Sequence, residues 1–249
     1  LPRPRLTLHS KIVLATSAVL LVAGAVGIFL LGPEHEKNVI GRHPTPGQKQ
    51  LTTGPESFKD MSTGQKVRES VFQSVSARTA GFNTVDMGND LTDASRLWVC
   101  GLMIVGGSPA STAGGMKTVT FGLLVLAAWS MIRERKEIEA YRRTISAMLL
   151  RRAVTVAVLH MMLIGIVTLL LCVAMKGVDF MKLFFEACSA CGTVGLSTGI
   201  TDKLTLMGKM VLVVGMFAGR VGPLTLLLAV TTHIRAVKYS YPTETVIIG

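Results

Sequence analysis

Four long apolar stretches divide the sequence, and few charged residues interrupt them. They cover residues 11–31, 97–132, 153–175 and 207–234. A bilayer core about 30 Å thick is crossed by a helix of roughly 20 predominantly apolar residues. The pattern therefore predicts membrane-spanning segments, of which the first is uncharged after Lys11.

Two shorter segments, residues 65–77 and 179–190, are too short and too polar to cross a bilayer. We interpret each as a helix that enters from the outside and turns back, which is tolerated where the backbone is buried in protein or lines a watery cavity. The predicted fold class is an all-α polytopic membrane protein with two helix–pore-loop–helix repeats. The polar stretch 33–66, rich in Gly and Pro, is predicted to be an extracellular loop, either a cap or a solvated connector.

The two units share a sequence repeat with a constant offset. The segment TAGFNT at 79–84 matches TVGLST at 193–198, and each position lies 114 residues before its match. Pro109 and Pro223 obey the same offset, as do Gly106 and Arg220. Internal symmetry of this kind points to a membrane architecture built from structural repeats.

The distribution of charge orients the segments. The chain has a formal net charge of +11, yet 49% of its residues are hydrophobic and 16% are charged. This composition lies outside that of soluble domains, so the basic excess does not indicate nucleic-acid binding. Seven basic and three acidic residues lie in 133–152, and both termini are basic. Because basic loops mark the cytoplasmic side, we expect loop 133–152 and both termini to be cytoplasmic in a multi-pass plasma-membrane protein.

Each repeat carries Thr-x-Gly directly after its short helix. A loop that passes cations through lipid must replace the ion's water shell with oxygens, and backbone carbonyls supply them where glycine lets the chain turn. The alternative is that Gly81 and Gly195 only cap helices, a common role for glycine. Two copies at one offset favour an ion selectivity filter. The predicted filter residues are Thr79, Ala80, Gly81, Phe82, Thr193, Val194, Gly195 and Leu196.

The second apolar stretch contains four glycines and one proline between positions 106 and 115. In a helix glycine costs about 1 kcal/mol and proline about 3 kcal/mol, so the span is predicted to break into two half-helices joined by an intramembrane loop. A phosphate-binding loop is excluded because Met116 separates Gly115 from Lys117. The loop residues of interest are Gly106, Gly107, Ser108, Pro109, Ser111, Thr112, Gly114, Gly115 and Lys117.

Arg220 stands near the middle of the apolar stretch 207–234. A charge at that depth is expensive and usually faces a pathway or a partner, whereas snorkelling to an interface is the alternative. We expect Arg220 to hold carbonyls of the 106–115 loop or to pair with an acidic residue outside this chain.

Cys188 and Cys191 form a Cys-x-x-Cys, which leaves a membrane redox protein open as an alternative. No second Cys/His pair stands near them in the sequence, and small polarizable residues are ordinary packing in membranes. Packing is therefore favoured for these two, as for Cys100 and Cys172 in apolar runs. The chain is predicted to be a transporter subunit and not an enzyme.

Four motifs resemble those of the KtrB/TrkH-type potassium uptake subunits of the Trk/Ktr/HKT superfamily, in the same order and spacing. They are SARTAGFNTVD at 76–86, GGSPASTAGGMKT at 106–118, GTVGLSTG at 192–199 and GRVGPLT at 219–225. The ending YPTETVIIG at 241–249 resembles KtrB more than TrkH. The resemblance spans nearly the whole chain and matches the third and fourth repeats of such proteins.

The resemblance implies four repeats around one pore, with K⁺ as the transported ion bound at Gly81 and Gly195 and with uptake often stimulated by Na⁺. It implies that the loop 106–117 gates the pore beneath the filter and that Arg220 is the pore arginine of the fourth repeat. The implied partners are the amino-terminal half of the same protein, a second copy in a homodimer, and a cytosolic nucleotide-binding regulatory subunit of the KtrA/TrkA type.

A pore of this kind needs four loops, whereas this chain holds two. We therefore expect a fragment or one part of a split protein, with sequence missing before Leu1, and an inactive fragment is a further alternative. The expected division is a first repeat over 1–135, a cytoplasmic basic linker over 136–152, and a second repeat with a cytoplasmic carboxy terminus over 153–249.

Overall fold

The computed structural model describes residues 7–32, 61–88, 90–109, 111–134, 138–141, 143–222 and 225. Most of the predicted extracellular loop, up to residue 60, lies outside the described residues, as do Pro223 and the carboxy-terminal segment 226–249. Seven α-helices and two short strands make up the described part.

The described helices follow the predicted order of long helix, short helix, loop and helix, twice. In the first unit α1 covers Leu8–Leu31, α2 Thr63–Ser76, α3 Asp93–Ile104 and α4 Thr118–Ile132. Strands β1 (Glu139–Ala140) and β2 (Arg143–Thr144) follow. The second unit contains α5 (Ala147–Ala174), α6 (Phe180–Gly192) and α7 (Leu206–Val221). By length and composition, α1 and α5 are able to cross a membrane.

Hydroxyl caps determine where several helices begin. Ser62 forms a capping box before α2, in which its N–H donates to Gln65 Oε1 at 2.8 Å and its own hydroxyl accepts from the N–H of Gln65. Thr92 and Thr205 cap α3 and α7, each hydroxyl accepting the N–H three residues further on, at 3.1 and 3.2 Å. The helix after each filter loop therefore starts from a comparable threonine cap.

The short helix α2 turns its polar face inward. Ser70, Gln73, Ser74 and Ser76 are buried, and the Ser74 hydroxyl donates to the Leu21 carbonyl of α1 at 2.8 Å. The apolar side chains of α2 are exposed instead; they are Val67, Val71, Phe72 and Val75. An exposed apolar face is expected where lipid or further protein covers the helix.

The long stretch 97–132 is broken as predicted. The helix α3 ends at Ile104 and α4 begins at Thr118, so the Gly-rich segment between them is a loop and not a helix; its position inside the membrane stays a prediction. Because glycine and proline both disfavour helix, the break lies where the sequence concentrates them.

The second stretch, 207–234, is not the uninterrupted helix that its hydropathy predicts. The helix α7 ends at Val221, and Gly222 has a φ of 90°; the next described residue, Thr225, is again helical. Arg220 consequently lies in the last turn of a helix and not in the middle of one. The flanking Gly222 marked this boundary in the sequence, because glycine commonly follows a helix end.

The predicted basic linker 136–152 contains structure of its own. The helix α5 begins at Ala147, six residues before the predicted start, and so includes Arg151 and Arg152, both exposed. The strands β1 and β2 form an antiparallel hairpin, so the chain is mostly helical and not all-α. The hairpin packs on the beginning of α1, where Lys11 Nζ lies 5.4 Å from the centre of the Tyr141 ring. Arginine is a good helix former, so Arg151 and Arg152 are compatible with the first turns of α5.

One hydrophobic core joins the two units. Its fully buried members include Met103 of α3, Leu171 of α5 and Phe185 of α6. Val194 and Leu196, which follow α6, belong to the same core. The second unit's loop is therefore fixed between its own pore helix and the first unit.

Candidate ion-conducting site

The two Thr-x-Gly loops have the same backbone conformation. Thr79 and Thr193 both have positive φ, 72° and 51°, and so do Gly81 and Gly195, at 78° and 95°. A left-handed residue is uncommon outside glycine, so its recurrence at the threonine of both loops is specific. The sequence repeat is thus a repeat of backbone geometry.

The amide groups of both loops are tied to the end of the preceding short helix. The N–H groups of Ala80 and Gly81 donate to the Ser76 carbonyl at 3.1 and 3.2 Å. In the second unit the N–H of Val194 donates to the Ser189 carbonyl at 2.9 Å, and that of Gly195 to the Ser189 hydroxyl at 3.2 Å. These four amides are therefore satisfied by the end of the preceding helix.

The carbonyl oxygens of the loops remain available. Six of them accept no hydrogen bond from the described part of the chain: those of Thr79, Ala80, Gly81, Thr193, Val194 and Gly195. Carbonyl groups without a protein partner need water or a ligand, and both loops also follow the carboxyl ends of helices, where the helix dipole attracts cations. A cation-binding loop offers carbonyl oxygens that are free to contact the ion, while hydrogen bonds from some of its amides hold the loop in place.

The two loops lie directly against each other although they are 114 residues apart. A Cβ placed on Gly81 would collide with the carbonyl oxygen of Val194 and would lie 3.4 Å from Gly195 Cα. A Cβ on Gly195 would lie 3.6 Å from Gly81 Cα. The structure therefore brings the two predicted filter glycines together.

Two glutamates hold the segments that follow the filter loops. Glu186 of α6 is 5% exposed and accepts hydrogen bonds from Ser197, Thr198 and Thr201. In the first unit Glu69 of α2 accepts a hydrogen bond from the Thr84 hydroxyl. Sequence reasoning missed both; their one signal was a carboxylate inside a short helix that is predicted to enter the membrane.

The intramembrane loop between α3 and α4 is closed at its base by backbone hydrogen bonds. The N–H of Gly106 donates to the Met116 carbonyl at 2.8 Å, and the N–H of Met116 donates to the Ile104 carbonyl at 3.1 Å. The N–H of Thr118 donates to the Gly107 carbonyl at 3.2 Å. These hydrogen bonds hold the two ends of the loop together where it leaves α3 and enters α4.

Two cationic side chains bind carbonyls of this loop. Lys117 Nζ lies 2.5 Å from the Ala113 carbonyl and 3.5 Å from the Ser111 carbonyl. The Arg78 guanidinium donates to the Gly106 carbonyl at 3.4 Å and to the Ser17 carbonyl of α1 at 3.2 Å. Arg78 lies between α2 and the filter, so it links the filter to the loop; sequence reasoning assigned it no role.

The loop also contacts the second filter loop. The N–H of Gly114 donates to Thr193 Oγ1 at 3.0 Å. A Cβ on Gly114 would collide with that oxygen and would lie 2.9 Å from the Gly192 carbonyl oxygen. Gly114 therefore packs directly against the start of the second Thr-x-Gly loop, where a side chain would not fit. Ser111 and Thr112 of the same loop as Gly114 are exposed.

Comparison with known proteins identifies the kind of chain that has this arrangement. Residues 6–238 match the family described as TrkH, cation transport protein. The chain belongs to the TrkH family. Its fold is that of the potassium transporter TrkH from Vibrio parahaemolyticus, with a TM-score of 0.62 at 18% identity over 90% of this chain and 44% of that one.

Several relatives in the TrkH family are more similar in sequence. The chain is 35% identical over 243 residues to Ktr system potassium uptake protein D of Bacillus subtilis, covering 98% of this chain and 49% of the relative. It is 34% identical to Ktr system potassium uptake protein B of Vibrio alginolyticus, with 98% and 49% covered. It is 33% identical to potassium/sodium uptake protein NtpJ of Enterococcus hirae, with 98% and 51% covered. The chain spans about half the length of these relatives.

Arg220 of this TrkH-family chain does not hold the loop carbonyls as expected. It is exposed and donates no hydrogen bond to the loop within the described residues. Arg220 and Lys117 are both cationic and near enough to repel each other, and Lys117 and Arg78 already bind the loop. Arg220 instead lines a cavity of about 500 Å³ that extends along the second filter loop to Glu186. Pairing with an acidic residue outside this chain stays a prediction.

The cysteines of the chain are placed as packing residues. Cys100, Cys188 and Cys191 are at most 1% exposed and lie in the main hydrophobic core. A redox pair must meet a partner thiol or an oxidant, which burial on this scale prevents. The TrkH family is one of transport proteins, so neither finding favours the redox alternative.

Proposed function

We propose that this chain forms two quarters of a pore that takes up K⁺ across the cytoplasmic membrane. The observation that carries the proposal is the pair of converging Thr-x-Gly loops. Six of their carbonyl oxygens lack a partner within the described part of the chain, while the amides of Ala80, Gly81, Val194 and Gly195 are satisfied. Carbonyl rings of this kind replace the hydration shell of a monovalent cation. Two of the relatives described above are named potassium uptake proteins, which supports K⁺ as the ion.

The proposal assigns the gate to the loop 106–117. Its contact with Thr193 and its attachment by Lys117 and Arg78 support a position beneath the filter. Movement of this loop away from Thr193 would open the path. Stimulation by Na⁺ is part of the proposal, because one relative is named a potassium/sodium uptake protein.

The proposal includes completion of the pore by two further repeats that lie amino-terminal to this chain in a four-repeat protein. The chain covers about half of its relatives, and Phe82 of the first filter loop is 71% exposed while Leu196 of the second is 2% exposed. An uncovered filter side chain supports a missing neighbour on that side. The assembly would be a homodimer on a cytosolic nucleotide-binding regulatory subunit.

The proposed topology places the α1 start, the β-hairpin and the α5 start in the cytoplasm. These three parts pack together through Lys11, Tyr141 and the apolar cluster of Ile12, Ala140 and Ile145. Exposed Arg151 and Arg152 on the same side agree with the enrichment of basic residues at the cytoplasmic surface.

The test is rubidium uptake by the complete four-repeat protein in a K⁺-deficient bacterium, with and without Na⁺. Gly195→Asp should abolish uptake or remove the preference for Rb⁺ over Na⁺, because a side chain at φ of 95° distorts the loop and adds a charge. Gly165→Ala is the control, since nothing lies within 4 Å of that helical position. Unchanged preference in the Gly195→Asp variant would overturn the proposal.

A further inference from the structure

The buried carboxylate of Glu186 is an anchor for the chain after the second filter loop. Its Oε1 accepts from the Ser197 hydroxyl at 2.6 Å, from the Thr198 N–H at 2.9 Å and from the Thr198 hydroxyl at 3.2 Å. Its Oε2 accepts from the Thr201 hydroxyl at 3.3 Å. Four donors converge on one carboxylate, so the backbone that leaves Gly195 is held to the middle of the pore helix.

The first unit has a corresponding anchor. The Thr84 hydroxyl donates to Glu69 Oε2, and the same hydroxyl accepts from Gln73 Nε2 at 3.2 Å. The Glu69 side chain is 14% exposed. Thr84 and Thr198 are equivalent in the repeat, each three residues after the filter glycine.

The two glutamates themselves are not equivalent in the repeat. At the offset of 114, Glu69 corresponds to Leu183 and Glu186 corresponds to Phe72. The same threonine is therefore bound from pore-helix positions that differ by three residues, or nearly one turn. A common origin of the two repeats explains why Thr84 and Thr198 occupy equivalent positions. It does not explain why both threonines are bound by a glutamate that stands at a different position in each repeat.

We infer that Glu69 and Glu186 are positioning residues that set the ion selectivity of the filter, by fixing the chain on the far side of each filter glycine. This inference rests on the proposed function. Discrimination between cations depends on the position and the field of the carbonyl oxygens. The backbone of 193–195, which carries these carbonyls, is fixed before the glycine by amide hydrogen bonds to Ser189 and after it by the hydrogen bonds of Thr198 to Glu186.

The experiment uses the complete four-repeat protein in the same uptake assay and measures the ratio of Rb⁺ to Na⁺ transport. Glu186→Gln replaces an acceptor oxygen by an amide donor, so we expect the ratio to fall about tenfold, as for the loss of a charge-assisted hydrogen bond. Thr198→Val should lower the ratio in the same direction. The double variant should be no worse than Glu186→Gln, because the hydroxyl contact that Thr198→Val removes is one of those that Glu186→Gln already weakens.

Two variants separate this role from simple loss of charge or of folding. Asp202→Asn removes a charge from the same segment. The Asp202 side chain is exposed and forms no hydrogen bond or ion pair with the described residues, so this change should alter the ratio less than twofold. Thr198→Ser keeps the hydroxyl and should retain the wild-type ratio. If Glu186→Gln does not reach the membrane, the Thr198→Val and Thr198→Ser pair decides the question.

A wild-type ratio in both Glu186→Gln and Thr198→Val would overturn this inference and leave the proposed function intact. An equal loss in Asp202→Asn would also overturn it, since charge alone would then account for the effect. Absence of Rb⁺ preference in the unmodified protein would overturn the proposed function itself, and the inference with it.

Discussion

The two Thr-x-Gly loops, which we propose as filter loops, have the same backbone conformation and differ in their surroundings. Both place a threonine and a glycine at positive φ. Phe82 of the first loop is nevertheless 71% exposed, whereas its equivalent Leu196 is 2% exposed. The conformation of each loop is thus determined locally, by glycine and by the end of the pore helix, while the environment of its side chains depends on which repeat lies beside it.

The comparison extends to the contacts that support each loop. The second loop touches the intramembrane loop through Thr193 and is held by several hydrogen bonds to Glu186. The first loop is held by one hydrogen bond to Glu69, and the neighbouring Arg78 reaches the intramembrane loop. Similar backbones are therefore supported by different side chains, and the differences can be tested one at a time.

The largest expected effect concerns the filter glycines. Alanine at either position requires a left-handed residue, which costs about 1–2 kcal/mol. At Gly81 the added Cβ also collides with the Val194 carbonyl, whereas at Gly195 its nearest neighbour lies at 3.6 Å. We expect Gly81→Ala to abolish Rb⁺ uptake and Gly195→Ala to reduce it about tenfold. The two variants are compared at equal amounts of protein in the membrane. Equal Rb⁺ uptake would contradict the claim that a side chain at Gly81 is more crowded than one at Gly195.

A smaller effect is expected at the first anchor. Glu69→Gln removes the charge from a carboxylate that accepts one hydroxyl hydrogen bond, whereas Glu186→Gln removes it from one that accepts four hydrogen bonds. The ratio of Rb⁺ to Na⁺ transport should therefore fall about fivefold in the Glu69 variant, less than in the Glu186 variant. Thr84→Ser, which keeps the hydroxyl, is the matched control. If the ratio fell further in Glu69→Gln than in Glu186→Gln, the number of hydrogen bonds to the glutamate would not determine the size of its effect on selectivity.

The smallest effect is expected at the filter threonines. Thr193→Val removes the acceptor for the Gly114 N–H, whereas the equivalent Thr79 makes no hydrogen bond to the intramembrane loop within the described residues. One neutral hydrogen bond contributes roughly 0.5–1.5 kcal/mol, and a value near the lower end corresponds to a rise of about threefold in the rate of Rb⁺ uptake when Thr193→Val releases the loop. Thr193→Ser, which keeps the acceptor oxygen, is the control and should transport Rb⁺ at the wild-type rate. An equal rise in the rate for Thr79→Val would show that loss of the hydrogen bond from Gly114 is not the cause.

Much of the fold could be predicted from the sequence because it depends on simple patterns. The apolar spacing predicted the two units, and the glycines and proline of 106–115 predicted the break between Ile104 and Thr118. The early start of α5 was missed because Arg151 and Arg152 were read as loop residues, although their long side chains are tolerated on the first turns of a helix. The end of α7 at Val221 was missed because hydropathy does not distinguish a helix from an unwound segment.

The candidate site was predictable only in part, for a related reason. The predicted filter residues repeat at a fixed offset, so comparison of the chain with itself locates the two loops, and their role as a filter stays a prediction. Glu69 and Glu186 do not share that offset, and their contacts depend on where the chain returns after the glycine. The contact of Arg78 with Gly106 likewise joins residues that are 28 positions apart in the sequence. A pattern within one segment does not predict such a contact.

The central claim is that the carbonyl oxygens of 79–81 and 193–195 bind the transported cation. The most direct measurement is anomalous diffraction from crystals of the complete protein grown in Rb⁺. The account predicts an anomalous peak between Gly81 and Gly195, within coordination distance of those carbonyl oxygens and displaced when K⁺ replaces Rb⁺. Bound Rb⁺ elsewhere in the pore, with no peak at either glycine loop, would contradict it.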